Sequence, residues 1–338
     1  MPMQQMLLLG GGPPGPDIDD VFHVNTYSGN QTNRSFNTGL DFATHGGAVW
    51  NSVRNQELQD KAASKSRGTM TIGMQGDNDD TNTSWFKSWN SDGYSIGTNT
   101  TGNTDGFWNK NSHTYVNWGW RNCDNFFKEF TWTGDGNSSG KTITHGLGST
   151  PGFIIVNGDY GPPTAYHKAF GNNKYIKINS NNNAQTFSSG KSWSVGATTF
   201  TSPDDQDLNM NNNEYVGWAF ADHSSGGTFG AAGNKKAIVC DSYTGNGSNT
   251  GPSVTVGFQP QWLFITSYGG PDPTSGRMWF FDSARGFGNT MHEGTAVEND
   301  AGTNFVSVNS TGFSLTTNYG HINENGTYYL YVAIAAST

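Results

Sequence analysis

Apolar residues along this chain come in short runs of four to eight, each closed by Gly, Asn or Pro. Few stretches show the 3.6-residue spacing of an amphipathic helix. Three runs follow a common opening: residues 47–50 (Gly-Ala-Val-Trp), 151–156 (Pro-Gly-Phe-Ile-Ile-Val) and 260–265 (Pro-Gln-Trp-Leu-Phe-Ile). The openings themselves are alike, with an aromatic residue two places before Gly29, Gly134 and Gly245. Three aromatic runs close the pattern, starting at Tyr115, Tyr215 and Tyr331. From opening Gly to closing Val the spans are 87, 82 and 87 residues, too even for coincidence. Further runs recur between these marks, at residues 91–96 and 310–315, with Trp193-Ser194-Val195 in the middle copy. Short β-branched and aromatic runs between turn residues predict antiparallel strands. Self-similarity at about 100 residues predicts three units large enough to bury a core each.

The expectation is an all-β chain of three tandem antiparallel β-sandwich or jelly-roll-like domains with an extended N-terminal arm. Its boundaries are an arm and Gly/Pro linker at 1–20 and repeats at 21–121, 122–231 and 232–338. Residues 53–67 have helix-permissive composition and read as an insertion, a short helix, in the first copy. Residues 10–16 (Gly-Gly-Gly-Pro-Pro-Gly-Pro) combine freedom with extended stiffness and read as a tether. At its far end, Met6, Leu7, Leu8 and Leu9 form an apolar tip, expected to dock on another protein because it is otherwise a liability in water.

Composition narrows the classes. Of 338 residues, 46 are Gly and 38 Asn, while only 10 are Leu and 6 Glu, which excludes a mostly helical protein. Aromatic residues at 13% argue against disorder. The net charge is −9 and the 18 Lys and Arg form no basic stripe, so no nucleic-acid partner is expected. No apolar run reaches the ~18 residues a membrane-spanning helix needs, so no membrane insertion is expected. Cys123 and Cys240, far apart and without metal spacing, read as small buried hydrophobes.

Candidate chemistry is sparse. Residues 134–142 (Gly-Asp-Gly-Asn-Ser-Ser-Gly-Lys-Thr) mimic a phosphate loop, but Asp135 stands where a Gly belongs and a strand follows where a helix is needed. Residues 77–80 open like a calcium loop yet lack its Gly and Glu, having Asn82 and Ser88 instead; 204–207 and 17–20 are similar acidic turns. The eight His are scattered, His145 and His167 among them. Asp282 and Arg285 read as a structural pair across a turn. Glu293 and Glu298 are carboxylates with no marked partner. No catalytic residue, cofactor or metal site is expected. Among the Trp residues, Trp108 looks most loop-like and is the candidate glycan-contact aromatic.

Several motifs together carry a resemblance: Tyr-Thr-Gly-Asn-Gly (243–247), Pro-Gln-Trp-Leu (260–263), Phe-Asp-Ser-Ala-Arg-Gly (281–286), Thr-Gly-Phe-Ser-Leu (311–315) and Asn-Gly-Thr-Tyr-Tyr (325–329). The chain resembles an uncharacterised repeat family of virion structural proteins of tailed bacteriophages, notably those of marine bacteria and cyanobacteria. The likeness is best in the third copy and covers the chain after Asp20; the first copy has no Phe-Asp-x-x-Arg-Gly. It implies location on the phage particle and no carried-over catalytic residues. The expected role is a non-enzymatic tail-associated fibre or appendage, with head decoration and a carbohydrate-binding module as rivals. Expected partners are other virion proteins of tail or capsid, further copies of the chain, and a host cell-surface glycan.

Overall fold

The computed structural model describes residues 16–55, 60–74, 85–98, 107–158, 161–178, 183–271, 277–292, 295–299 and 305–337. Three large antiparallel sheets dominate, each faced by a three-stranded sheet. In the first, an opening strand (Phe22–Ser28) lies beside the closing strand (Thr114–Arg121), followed by Gly47–Val53, Lys61–Ser64 and Thr71–Gly73. The second has the order Phe127–Thr133, Glu214–Phe220, Phe153–Gly158, Thr164–His167, Lys174–Lys177, Gln185–Thr186. The third has Ile238–Thr244, Tyr328–Ala335, Pro260–Gly269, Trp279–Asp282, Thr290–His292, Thr295–Asn299. The small sheets also share one order, centred on Gly93–Ile96, Thr199–Ser202 and Gly312–Leu315. The fold is therefore all-β, and its topology is written three times.

Register fixes which residues correspond. Tyr27 faces Tyr115, Trp132 faces Tyr215 and Tyr243 faces Tyr329. The closing tyrosine of the third copy is thus Tyr329, two residues before the Tyr331 expected from the run. Residues 53–67 also differ from expectation. They contain the strand Lys61–Ser64 and one 3-10 turn, Lys65–Arg67, capped by Gly68. Ser64-Lys65-Ser66-Arg67-Gly68 thereby occupies the place of His167-Lys168-Ala169-Phe170-Gly171 and of Asp282-Ser283-Ala284-Arg285-Gly286. The first copy has the turn; Ser64 in place of Asp disguised it.

Each opening glycine has a specific duty. A Cβ on Gly29, Gly134 or Gly245 would lie 2.0, 2.1 or 2.2 Å from the carbonyl oxygen of Lys110, Met210 or Glu324. No side chain fits there, because a short turn passes directly over the opening strand. That turn starts at a buried asparagine (Asn109, Asn209, Asn323) and ends six residues later at the closing tyrosine. The tyrosine hydroxyl accepts from the backbone N–H of Lys110, Met210 or Glu324 at 2.9, 2.8 and 2.9 Å. The asparagine Oδ1 accepts from the N–H of Asn30, Asp135 or Asn246 at 3.0, 3.1 and 2.9 Å. These corners satisfy backbone groups that would otherwise be buried without partners.

The three sheets do not stand apart like beads. Within the first and third copies, one face of the large sheet packs on its small sheet, giving separate interiors around Val49, Phe86 and Tyr94, and around Leu263, Phe281 and Phe313. The opposite faces of all three large sheets meet in one continuous core that also includes the second copy's interior. There Trp50 packs on Trp118, Trp218 and Phe280 with ring centroids 5.9, 6.3 and 5.1 Å apart. Trp262 packs on Trp118 and Trp120 at 6.3 and 5.7 Å. Burial on both faces explains why every residue of Gly47–Val53 is buried. The centre is filled unequally: Ala62 and Ala165 correspond to Phe280, and Ala48 and Phe153 to Trp262. What remains is an apolar void of about 10 Å³ between Trp50, Phe153, Trp262 and Phe280, at the lower limit for one water.

Candidate functional site

The seams between copies repeat as regularly as the copies themselves. The end of the fourth large-sheet strand, at Ser64, His167 or Asp282, meets the closing strand of another copy. Trp218 Nε1 donates to Ser64 Oγ at 3.2 Å, joining copy two to copy one. His167 Nε2 donates to the Tyr331 carbonyl at 3.1 Å, joining two to three. Trp118 Nε1 donates to Asp282 Oδ2 at 3.0 Å, joining one to three. The contacts run in one direction and close on themselves, as the head-to-tail interfaces of a cyclic trimer do, here within one chain.

The seam between copies one and three lacks a short covalent connection and holds a buried ion pair. Arg285 and Asp282 form a fully buried ion pair at 2.7 Å. Arg285 also donates to the Phe280 carbonyl at 2.9 Å, and its guanidinium lies 5.6 Å from the Trp118 ring. Asp60 is buried nearby in the first copy, accepting from Trp50 Nε1 at 2.8 Å and Ser52 Oγ at 2.5 Å. Burial pushes its carboxyl up to about 6, against the opposing pull of those hydrogen bonds and the Arg285 charge.

Three histidines are pinned rather than poised. The Nδ1 atoms of His145, His167 and His223 accept from backbone N–H groups of Leu147, Ala169 and Ala237 at 3.1, 3.1 and 3.0 Å. Each ring therefore carries its proton on Nε2 and donates it to the carbonyl of Gly196, Tyr331 or Asn125. Burial lowers all three, His167 to about 3.

The other sequence candidates find structural roles. Trp108 is 1% exposed, packs edge-on against Phe86 and lends its carbonyl to the Tyr27 hydroxyl. It offers no face to a sugar, which corrects the expectation of a glycan-contact loop. Its loop-like sequence surroundings hid the fact that it precedes the buried Asn109, as Leu208 and Ile322 precede theirs. Asp135 binds Asn209 and Lys141, completing a corner rather than a phosphate loop. Asp204 pairs with Lys191, Asp207 with Lys177, and Asp17 with Lys235. Cys240 is buried and Cys123 half-buried; both are free thiols. Met6, Leu7, Leu8, Leu9, residues 77–80 and Glu293 lie outside the described residues. Among the described residues, no three His, Cys, Asp or Glu side chains are grouped to hold a metal ion.

The two ends of each opening strand differ in character. At the starting ends the chain's junctions gather. Arg121 N–H donates to the Val21 carbonyl, His223 bonds Asn125, Lys235 reaches Asp17, and Ala335 N–H donates to the Ala237 carbonyl. Residue 16, the first described residue, therefore sits at this gathered base. The asparagine–tyrosine corners lie at the far ends, about 20 Å away across seven-residue strands. Among the described residues, the exposed large hydrophobics Met210, Tyr319 and Tyr328 all belong to these corner ends.

A comparison with curated proteins finds no match. A family described as a domain of unknown function (DUF7483) matches residues 17–338, from the start of the gathered base through all three copies. The stretch treated as one family unit coincides with the stretch that shares one core, and the chain belongs to this DUF7483 family.

Proposed function

We propose that this chain is a non-enzymatic structural protein of a tailed-phage virion, a tail-associated appendage held by its N-terminal arm and displaying its corner ends outward. The observation that supports this reading best is the polarity of the body. Both chain junctions, the exit of residue 16 and the C-terminal strand end gather at one end, while the exposed Met210, Tyr319 and Tyr328 lie at the other. A body closed into a ring within one chain needs one anchoring point, and the apolar Leu7-Leu8-Leu9 tip beyond a Gly/Pro tether suits that use. The buried carboxylates and histidines are engaged in holding seams and turns, which fits a structural role. The likeness to virion proteins points the same way.

Two experiments test it. Deleting residues 1–16 is expected to leave soluble, folded protein that no longer enters particles; normal incorporation refutes the anchoring role. Cryo-EM of intact virions is expected to show the body on the tail. Density on the capsid faces would replace the tail appendage by head decoration, and absence from purified particles would sink the virion reading.

A further inference from the structure

We propose that Tyr268 and Tyr328 form a platform for a pyranose ring of a neutral glycan. The proposal rests on the display reading only for its biological setting; the site itself stands on geometry. The two rings lie 6.0 Å apart on neighbouring strands with planes inclined by 32°. Tyr328 is 48% exposed, the most exposed large hydrophobic residue among those described. On its other side Tyr268 abuts Phe170 of the second copy at 6.3 Å, so the platform is braced across a seam and is ordered before any ligand arrives.

The sibling copies show that the fold does not require these rings. Tyr328 faces Thr244 across the sheet; the same position is Glu214 facing Thr133 in the second copy and Thr114 facing Ser28 in the first. Tyr268 is the extra residue of a bulge, marked by a register shift between Ser267 and Gly269. In the siblings the strand pairing ends at Val53–Tyr115 and Gly158–Tyr215, the equivalents of Ser267–Tyr329. A bulge bends the strand and re-aims a side chain. The third copy thus combines a bulge with two aromatic rings, and at the Tyr328 position its siblings have Thr or Glu.

The size of the patch selects the ligand. Two tyrosine rings are far smaller than the ~800 Å² per partner of a specific protein interface. A pyranose presents a C–H face of about one ring's area, edged by hydroxyls that tyrosine oxygens and water can bond. Tyrosine suits such a mixed surface, with an apolar body and a polar tip.

The test uses the full chain on an array of neutral pyranose oligosaccharides. Wild-type protein is expected to retain at least one glycan. Tyr328→Thr, which installs the first copy's own residue, and Tyr268→Ala are each expected to weaken retention at least tenfold with the melting temperature preserved. Tyr319→Ala, an exposed tyrosine packed instead on Trp279 and Phe305, is expected to leave retention unchanged. A blank array, or retention equal in wild type, Tyr328→Thr and Tyr268→Ala, overturns the proposal. Incorporation of Tyr328→Thr into particles is measured in parallel and expected to be normal. Glycan binding by a protein absent from virions would sink the display reading and leave this site standing.

Discussion

Replacing Asp282 with Ala tests whether three copies behave as one molecule. The substitution removes the carboxylate from a fully buried pair, leaving the Arg285 guanidinium without its counter-charge and the Trp118 indole N–H without its acceptor. Breaking a buried pair from one side costs about 3–5 kcal/mol. The melting shift depends on how much chain unfolds together, because the unfolding entropy is about 2.1 cal/mol/K per residue. If the shared core makes all 338 residues one cooperative unit, a loss of ~4 kcal/mol lowers a single transition by about 6 °C. If the third copy unfolds alone as ~100 residues, the same loss drops its own transition by about 20 °C and leaves the others in place. Differential scanning calorimetry distinguishes these outcomes. We expect one transition, shifted by the smaller amount, and a similar displacement of that same transition by Trp118→Phe from the first copy. Two separated transitions, or a Trp118→Phe effect confined to a different one, would refute the coupling. Replacing Asp282 and Arg285 together by Leu and Met should recover most of the loss, since an apolar pair of similar volume avoids the stranded charge.

Asn323→Ala should destabilise strongly, by ~3 kcal/mol or more, because its Nδ2 meets the carbonyls of Ser248, Gly251 and Thr317 at 2.8, 2.8 and 2.7 Å and leaves them orphaned when lost; urea melts check it. Gly134→Ala forces a methyl to within 2.1 Å of the Met210 carbonyl oxygen and should part the corner; a melting temperature equal to wild type would contradict the close approach. Acidification should destabilise the fold. Burial holds His145, His167 and His223 below the ordinary histidine value of 6.5, so their contribution is complete above that pH and is lost as pH falls, His167's towards about 3. A buried neutral histidine gives a slope of at most about 1.4 kcal/mol per pH unit, and only between its folded and unfolded values. Asp60 runs the other way: raised from 3.8 to about 6, it contributes most below 3.8 and loses that contribution as pH rises through 6. With three groups against one, denaturant midpoints should fall from pH 7 to pH 5, and His167→Gln should flatten the slope; a flat or inverted profile would show that the histidines are not buried neutral.

The strand-rich class and the three-fold recurrence were legible in the runs of apolar residues and their turns. The closing register was not, and the slip from Tyr329 to Tyr331 shows why. A shift of two residues returns every side chain to the same face of a strand, so alternation alone cannot detect it. The spacing Asn-x5-Tyr, present at Asn109–Tyr115, Asn209–Tyr215 and Asn323–Tyr329, would have pinned it. The same spacing marks Trp108, the apolar residue before Asn109, as a core residue. The shared core left a fainter trace: closing runs such as Tyr328–Ala335 are apolar at successive positions instead of alternating, the mark of a strand covered on both faces. Which copy covers which could not be read, because the Trp–Ser, His–carbonyl and Trp–Asp seam bonds use different residues at equivalent positions. The platform at Tyr268 and Tyr328 depends on a bulge, which has no sequence signature of its own here.

The unequal filling of the centre separates two kinds of constraint on the same scaffold. Corners are completed within one copy, so each copy needs its own Gly, Asn and Tyr, and all three have them. The middle is completed jointly, so a large residue gained in one copy could be balanced by a small one elsewhere, as Phe280 is by Ala62 and Ala165. A trimer of identical subunits has no such freedom, since every substitution arrives three times: three phenylalanines would collide there and three alanines would leave a hole. Three copies within one chain are under no such constraint, so they can differ at the centre while sharing their corners.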